Sequence, residues 1–389
     1  MTVLRVALIA DYLEEGWPSM DLVADMLFDR LQREHSGTTA PTLVRPPMRR
    51  RAGRLPGASP GWARGVDRIA NRLWDYPRLA SGMAERFDIF HVVDHSYAQL
   101  VHRLPAARTI VTCHDLDTFR SVLDPELERR TPLFRAMTRH ILSGLRKAGH
   151  VACDSHATRD ALVSKAGIAA ECTTVVPNGP HPSCSPEAEP AADIDAARLL
   201  GPRGATIDLL HVGSTIPRKR IDVLLRVFDS LRGSHRHLRL VRVGGPFTAA
   251  QQALVRELGL GDAVVVLPAL DRSTLASVYR RSAVLLMPSE REGFGLPVLE
   301  SLACGTPVVA SNVPALREVG GYAATYCPVD DVDAWHQTVT RLLDERSQMP
   351  AQWTLRREAG IRRAAAFSWS RYATDVVAIY GRVAGTVPQ

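Results

Sequence analysis

The sequence predicts an α/β protein built from two doubly wound, parallel-sheet domains. Three observations carry this. Short continuous apolar runs recur along the chain, beginning with VLRVALIA at residues 3–10, as expected of strands covered on both faces. The stretches between these runs are mostly helix-sized, which implies parallel connections. The alternation breaks near Pro180 and then resumes, and 389 residues suit two domains better than one core.

Taken in order, the first run is followed by the polar loop DYLEEGWP. Met20, Val23, Ala24, Leu27 and Leu31 then share one helical face, with Ser19 placed as N-cap. Further strands are expected at FDIFHVV, RTIVTC, HVAC and TTVV. The Pro- and Ala-rich segment PHPSCSPEAEPAADIDAARLLGPRGA has little apolar periodicity and reads as a linker. A second series follows: DLLHVG, LRLVRVGG, AVVVLP, AVLLMPS and TPVVAS, with Ile221, Leu224, Leu225, Phe228 and Leu231 on one face of an intervening helix. In doubly wound sheets ligands bind at the carboxyl ends of strands, so a cleft between the domains is the expected site.

Composition excludes several classes. Hydrophobic residues at 46% and charged residues at 23% are ordinary for a globular fold. No apolar run approaches the roughly 18 residues of a membrane span, and the first residues read as a buried strand instead of a leader. The six cysteines form no CxxC pair, which points to reduced thiols and a cytoplasmic setting. The net charge of +7 is concentrated in residues 45–72, where no nucleic-acid-binding signature accompanies it. A solvated basic loop, or contact with an anionic acceptor or the inner face of a membrane, accounts for it.

The stretch SEREGFGLPVLESLACGTPVVAS, residues 289–311, sets Glu292 and Glu300 on either side of a glycine-broken loop. AVLLMPS reads as a buried strand and EREGFG as the loop at its carboxyl end. Pro297 suits the start of a helix that places Glu300 in its first turn, with Gly305 ending it. Gly293 and Gly295 let backbone N–H groups approach an anion closely. Ionised glutamates only accept hydrogen bonds and so pair with hydroxyls. Phosphate bound by backbone and hydroxyls bound by two carboxylates suit a sugar nucleotide.

This segment resembles the E-x7-E signature of retaining GT-B glycosyltransferases, and more narrowly glycosyltransferase family 4. HVGSTIPRKRIDVLL (211–225), VPNG (176–179), ALREVGG (315–321) and FSWSRYATDVVAIY (367–380) resemble further family segments in the family's order. The resemblance implies two Rossmann-like domains facing a central cleft. Their expected bounds are 1–185 for an acceptor-binding domain, 186–204 for a linker and 205–366 for a donor-binding domain. Residues 367–389 would form a terminal helix returning to the first domain.

Residue by residue, the resemblance implies that Lys219 and Arg218 neutralise the donor diphosphate. Glu300 would accept from ribose hydroxyls and Glu292 from those of the transferred sugar. Gly293, Phe294, Gly295 and Leu296 would line sugar and phosphate through their N–H groups, and the base would lie near Pro268 to Leu270. Where many relatives carry a second diphosphate arginine, this chain has Ser214 and Thr215. His114, in an HD pair with Asp115, would face the donor sugar. Gly16 stands alone where relatives often have a glycine pair.

Asp115 and Asp117 also spell DxD, but DID (193–195) and DVD (331–333) occur too, so the pattern carries little; the resemblance implies an enzyme that works without a bound metal, and neither a metal nor a cofactor is expected. The expected reaction moves a mannose- or glucose-type hexosyl unit from a nucleoside-diphosphate sugar to a glycan, lipid-linked or small-molecule hydroxyl. The acceptor attacks on the face the diphosphate leaves, with a phosphate oxygen as base. Rival readings are a GT-B epimerase, a non-catalytic sugar-nucleotide binder, and a glycoside hydrolase, which needs paired carboxylates but no phosphate loop. A dinucleotide dehydrogenase would need GxGxxG after the first strand, and DYLEEGW lacks it.

Overall fold

A computed structural model describes residues 3–54, 59–202, 204 and 206–385. The chain divides into two compact units, residues 1–178 with 369–389, and residues 179–368.

The first unit holds a six-stranded parallel sheet in the order β2-β1-β3-β4-β5-β6. Its strands are β1 (Leu4–Ile9), β2 (Thr39–Val44), β3 (Ile89–Val92), β4 (Thr109–Cys113), β5 (His150–Cys153) and β6 (Thr173–Val175). The four predicted in sequence after β1 are β3 to β6. The segment TAPTLV, which carried no strand expectation, is β2. It pairs with β1 in the register Val6↔Pro41. Pro41 cannot donate to a ladder, so the strand that contains it lies at the sheet's edge. The first helix, Pro18–Glu34, starts at Pro18 with Trp17 as N-cap, two residues earlier than the Ser19 cap expected from sequence. Proline suits the first helical position because its missing N–H would have no partner there.

The last helix, Trp369–Val383, belongs to this first unit. It buries Trp369, Tyr372, Val376, Ile379 and Tyr380. The Tyr380 hydroxyl lies 2.8 Å from His91 Nδ1 on β3, while His91 Nε2 lies 2.7 Å from Thr112 Oγ1 on β4. Burial lowers the His91 pKa to about 3, so the ring is neutral and its two hydroxyl contacts satisfy it.

The second unit repeats the architecture in the order β12-β11-β10-β7-β8-β9. Its strands are β7 (Ile207–Val212), β8 (Leu238–Val243), β9 (Val264–Leu267), β10 (Val284–Met287), β11 (Val308–Ser311) and β12 (Thr325–Cys327). Two hydrophobic clusters fill the two faces of this sheet, one around Phe228 and Trp335, the other around Tyr279 and Phe294. The predicted helical face of Ile221, Leu224, Leu225, Phe228 and Leu231 is buried in the first of these.

The expected linker is corrected. Pro190–Leu200 is a helix of the second unit, burying Ala192, Ala196 and Leu200. Alanines four apart make a flat face that lets this helix pack closely on Arg272–Arg281. Asp193 locks it by accepting from Ser277 Oγ and, at 3.1 Å, from Arg280 Nη2. Small apolar side chains carry a weak hydrophobic signal, which is why sequence periodicity missed it.

Candidate donor-binding site

The second unit gathers its charged groups at the carboxyl ends of β7 and β10, which are adjacent in the sheet. After β7 the chain passes Gly213 and Ser214 and makes a 3-10 turn, Pro217–Lys219. After β10 it runs through residues 288–295 into the helix Leu296–Ala303. The two loops are stitched by Glu290 N donating to Arg218 O at 2.9 Å, and by Arg218 Nη1 donating to Arg291 O at 2.9 Å.

Glu292 is held between both predicted cations. Lys219 Nζ donates to its Oε1 at 2.6 Å and Arg218 Nη1 to its Oε2 at 2.8 Å. Burial pushes this carboxyl up, but the charges of Lys219 and then Arg218 override burial and hold it down at about 2. The site therefore keeps an ionised carboxylate between two basic side chains in one half-buried cluster. Arg220 follows with φ 48, and ion pairs to Asp222 at 2.9 Å and to Asp330 at 2.5 Å hold that left-handed turn.

Two glycines are required by close approach. At Gly244, with φ 131, a Cβ would meet Gly213 O at 2.0 Å, so the ends of β7 and β8 could not come together. At Gly295, with φ 107, a Cβ would lie 2.6 Å from Leu316 Cδ2. Gly295 is the N-cap of the next helix, and its carbonyl accepts from Val298 N at 2.9 Å and Leu299 N at 3.2 Å, while Pro297 carries no N–H. The Phe294 ring is buried in the core, 6.0 Å from Phe367 edge to face, so this residue offers only its backbone to a ligand.

Glu300 is the fifth residue of its helix, past the first turn where the sequence placed it, because the helix begins at Leu296. It is buried, 3% exposed. Tyr279 Oη donates to its Oε2 at 3.0 Å, and Arg272 Nη1 lies 3.8 Å from its Oε1. Burial raises its pKa, opposed by Arg272 and the Tyr279 hydrogen bond. Glu292 and Glu300 thus differ in kind, one clamped by two full charges and one barely compensated.

Four residues of this region had no sequence expectation. Tyr279 and Arg272 reach Glu300 from the helix Arg272–Arg281, a contact no local pattern announces. Arg242, fully buried on β8, donates to the carbonyls of Gly213 (2.9 Å), Gly244 (3.4 Å) and Gly245, fastening both glycine loops. His211 donates from Nδ1 to Leu286 O at 3.0 Å, which leaves Nε2 a buried acceptor without a partner. Ser214 and the segment Pro268 to Leu270 lie at the same sheet edge, after β7 and β9.

The remaining predicted residues belong to the first unit. His114, after β4, is buried with Nδ1 2.7 Å from Asp154 Oδ2, and its Nε2 donates to Val93 O at 2.8 Å. Burial opposes a charged ring, but Asp154 and Asp94 raise its pKa to about 9. The ring is an imidazolium with both nitrogens engaged. Asp115 Oδ1 accepts from Asp117 N at 2.9 Å, so the DxD stretch makes a turn. Among the described residues no group of histidines, cysteines or carboxylates could hold a metal ion. Gly16, with φ 70, ends the 3-10 turn Leu13–Glu15.

Two family models match the chain, "Glycosyltransferase Family 4" over residues 26–183 and "Glycosyl transferases group 1" over residues 200–358. The chain belongs to the group 1, family 4 glycosyltransferases. A D-inositol 3-phosphate glycosyltransferase of Mycobacterium marinum is 34% identical over 214 residues, 53% of this chain and 45% of that protein. The chain spans about half the length of the curated relatives it matches. Sucrose-phosphate synthase from Thermosynechococcus elongatus superposes with a TM-score of 0.75 and 20% identity, over 99% of this chain and 100% of the other. Anabaena HepE in complex with UDP and glucose gives a TM-score of 0.70 and 15% identity, over 97% and 99%. These likenesses show the GT-B fold.

Proposed function

We propose that this family 4 protein is a retaining glycosyltransferase that moves a hexosyl unit from a nucleoside-diphosphate sugar to an acceptor hydroxyl. The observation that carries the reading is the half-buried Lys219–Glu292–Arg218 cluster at the carboxyl ends of β7 and β10, with Glu300 one helical turn beyond the loop. Lys219 and Arg218 supply positive charge where the leaving diphosphate develops its own. Glu292 stays ionised and accepts a hydroxyl of the transferred sugar, while Glu300 accepts from the ribose.

The acceptor oxygen forms its bond to the anomeric carbon on the face where the carbon–phosphate oxygen bond breaks, and a phosphate oxygen takes its proton. Neither nitrogen of His114 is left to do so, which supports a substrate-borne base. His114 with Asp154 instead fixes the end of β4. HepE, solved with UDP and glucose, supports a UDP-hexose donor, and the named acceptor of the M. marinum relative supports a phosphorylated polyol. Six free cysteines support work in the cytoplasm.

The test is a thermal-shift panel of UDP-, GDP-, ADP- and TDP-sugars, followed by transfer assays with the stabilising donor. Specific binding raises Tm with ligand concentration. Stabilisation by one nucleotide series, lost in Glu300→Ala and Lys219→Ala, with a product of unchanged anomeric configuration, is expected. Inverted product, or donor epimerised with no acceptor used, would overturn it.

A further inference from the structure

The second unit buries a cation that the cluster around Glu292 leaves unused. Arg242 stands on β8 with none of its surface exposed, and burial lowers its pKa to about 10, so the guanidinium is charged at neutral pH. Other buried ions of this unit sit against opposite charges. Asp208 lies 2.7 Å from Arg239 and 3.2 Å from Arg281, and Glu345 lies 2.7 Å from Arg356. Among the described residues no carboxylate pairs with Arg242. Its hydrogen bonds go to the carbonyl oxygens of Gly213, Gly244 and Gly245, while its Nε has no partner. The Phe247 ring centre, 5.2 Å from the guanidinium carbon, attracts the charge without neutralising it. A buried charge with no counter-ion is strongly destabilising until an anion joins it.

The carbonyls that Arg242 holds mark where such an anion belongs. Gly213 follows β7 directly, at the end of the sheet that carries Lys219. Gly213 N donates to Val243 O at 2.9 Å, and Gly213 O accepts from Arg242 Nη2 at 2.9 Å. A Cβ at Gly213 would lie 3.5 Å from Lys219 Cε, so the lysine stem passes beside the same residue. Gly213 therefore has Lys219 at its α-carbon and Arg242 at its carbonyl oxygen. That carbonyl belongs to the same peptide group as the Ser214 N–H. Linked hydrogen bonds polarise one another, so a guanidinium on the oxygen makes this N–H a stronger donor. Among the described residues Ser214 N donates to no backbone carbonyl.

On the basis of the donor reading proposed for this site, we infer that Arg242 is a positioning residue for the diphosphate. It holds the Gly213–Ser214 peptide so that the Ser214 N–H donates to a phosphate oxygen, and the bound anion becomes the counter-charge of the buried guanidinium. Arg242 does not touch the ligand; it acts through one peptide group. Lys219 and Arg218 against Glu292 leave one net positive charge in their cluster. Arg242 adds a second, which matches the two negative charges of a diphosphate diester. An uncharged nucleoside or sugar would leave Arg242 uncompensated.

The test is titration calorimetry of the full chain with inorganic pyrophosphate, with the nucleoside diphosphate that stabilises it, and with the matching nucleoside. Arg242→Met removes the charge, and Arg242→Lys keeps the charge without the three-carbonyl fork. Arg242→Met is expected to weaken both phosphate-bearing ligands about tenfold or more, as for one charge about 7 Å from an anion at an effective dielectric of about 20. Nucleoside affinity stays at the wild-type level, and Arg242→Lys recovers part of the loss. In transfer assays Arg242→Met raises donor KM and lowers kcat, because negative charge builds on the diphosphate as it leaves. Ser214→Pro, at a half-buried loop position, deletes the N–H while Arg242 stays, and should show the same selective loss even where Arg242→Met does not fold. Pyrophosphate binding undiminished in Arg242→Met or in Ser214→Pro would overturn the proposal, as would no binding of pyrophosphate by the wild type. Equal losses for nucleoside and pyrophosphate would reduce Arg242 to a brace for the glycine loops. Failure of every nucleoside diphosphate to bind would sink the donor reading, while the pyrophosphate comparison would still decide the role of Arg242.

Discussion

Lys219 Nζ donates to Glu292 Oε1 at 2.6 Å, across 73 residues of sequence. A residue read as a phosphate ligand and a residue read as a sugar ligand therefore neutralise each other before any ligand arrives. A diphosphate that enters this cluster competes with Glu292 for the same cations, and Glu292 is freed to face a hydroxyl.

Lys219→Met removes the cation and leaves its methylene volume. Donor kcat/KM is expected to fall about 10²-fold, the usual loss for one electrostatic contact to a developing charge. Steady-state kinetics at varied donor concentration check this. An unchanged value would remove Lys219 from the site.

Glu292→Gln leaves Lys219 and Arg218 without their carboxylate, which costs about 3 kcal/mol in a buried pair. The native pKa lies at about 2, below the ordinary carboxylate value. The stability Glu292 contributes is therefore complete above that ordinary value and is lost as pH falls toward 2. Denaturant melts from pH 7 down to pH 3 should show the gap between wild type and variant narrowing. A gap constant with pH would mean that packing, not charge, holds Glu292.

Glu300 has the opposite sign. Its pKa is raised by burial, so its contribution is fully present at low pH and is lost as pH rises through the native value. Glu300→Gln keeps an acceptor for Tyr279 and removes the buried charge. The variant should melt higher than wild type at pH 8, with the difference vanishing toward pH 4, while its donor KM rises. A variant less stable than wild type at pH 8 would show that Arg272 compensates Glu300 fully.

Tyr380→Phe strips the partner from buried His91 Nδ1. The expected cost is about 1–3 kcal/mol, that of an unsatisfied buried polar group. Urea unfolding followed by far-UV circular dichroism measures it. A loss below the error would mean that apolar packing of Trp369, Val376 and Ile379 alone seats the terminal helix.

The sequence by itself determined most of the strands, the β10-loop-helix motif around Glu292 and Glu300, and the charged turn at Arg218 and Lys219. These are written in local periods and in turn chemistry, which depend on neighbours a few residues apart. It passed over β2, whose Pro41 weakens a strand pattern, and the helix Pro190–Leu200, whose alanines weaken a helical one. Only tertiary structure could decide that β7 lies beside β10, and so that Lys219 meets Glu292. The same holds for Tyr279 and Arg272 at Glu300, and for His91 beneath Tyr380. A residue's charge is legible in one letter. What compensates it is set by strand order and helix docking, which join positions that no local window contains.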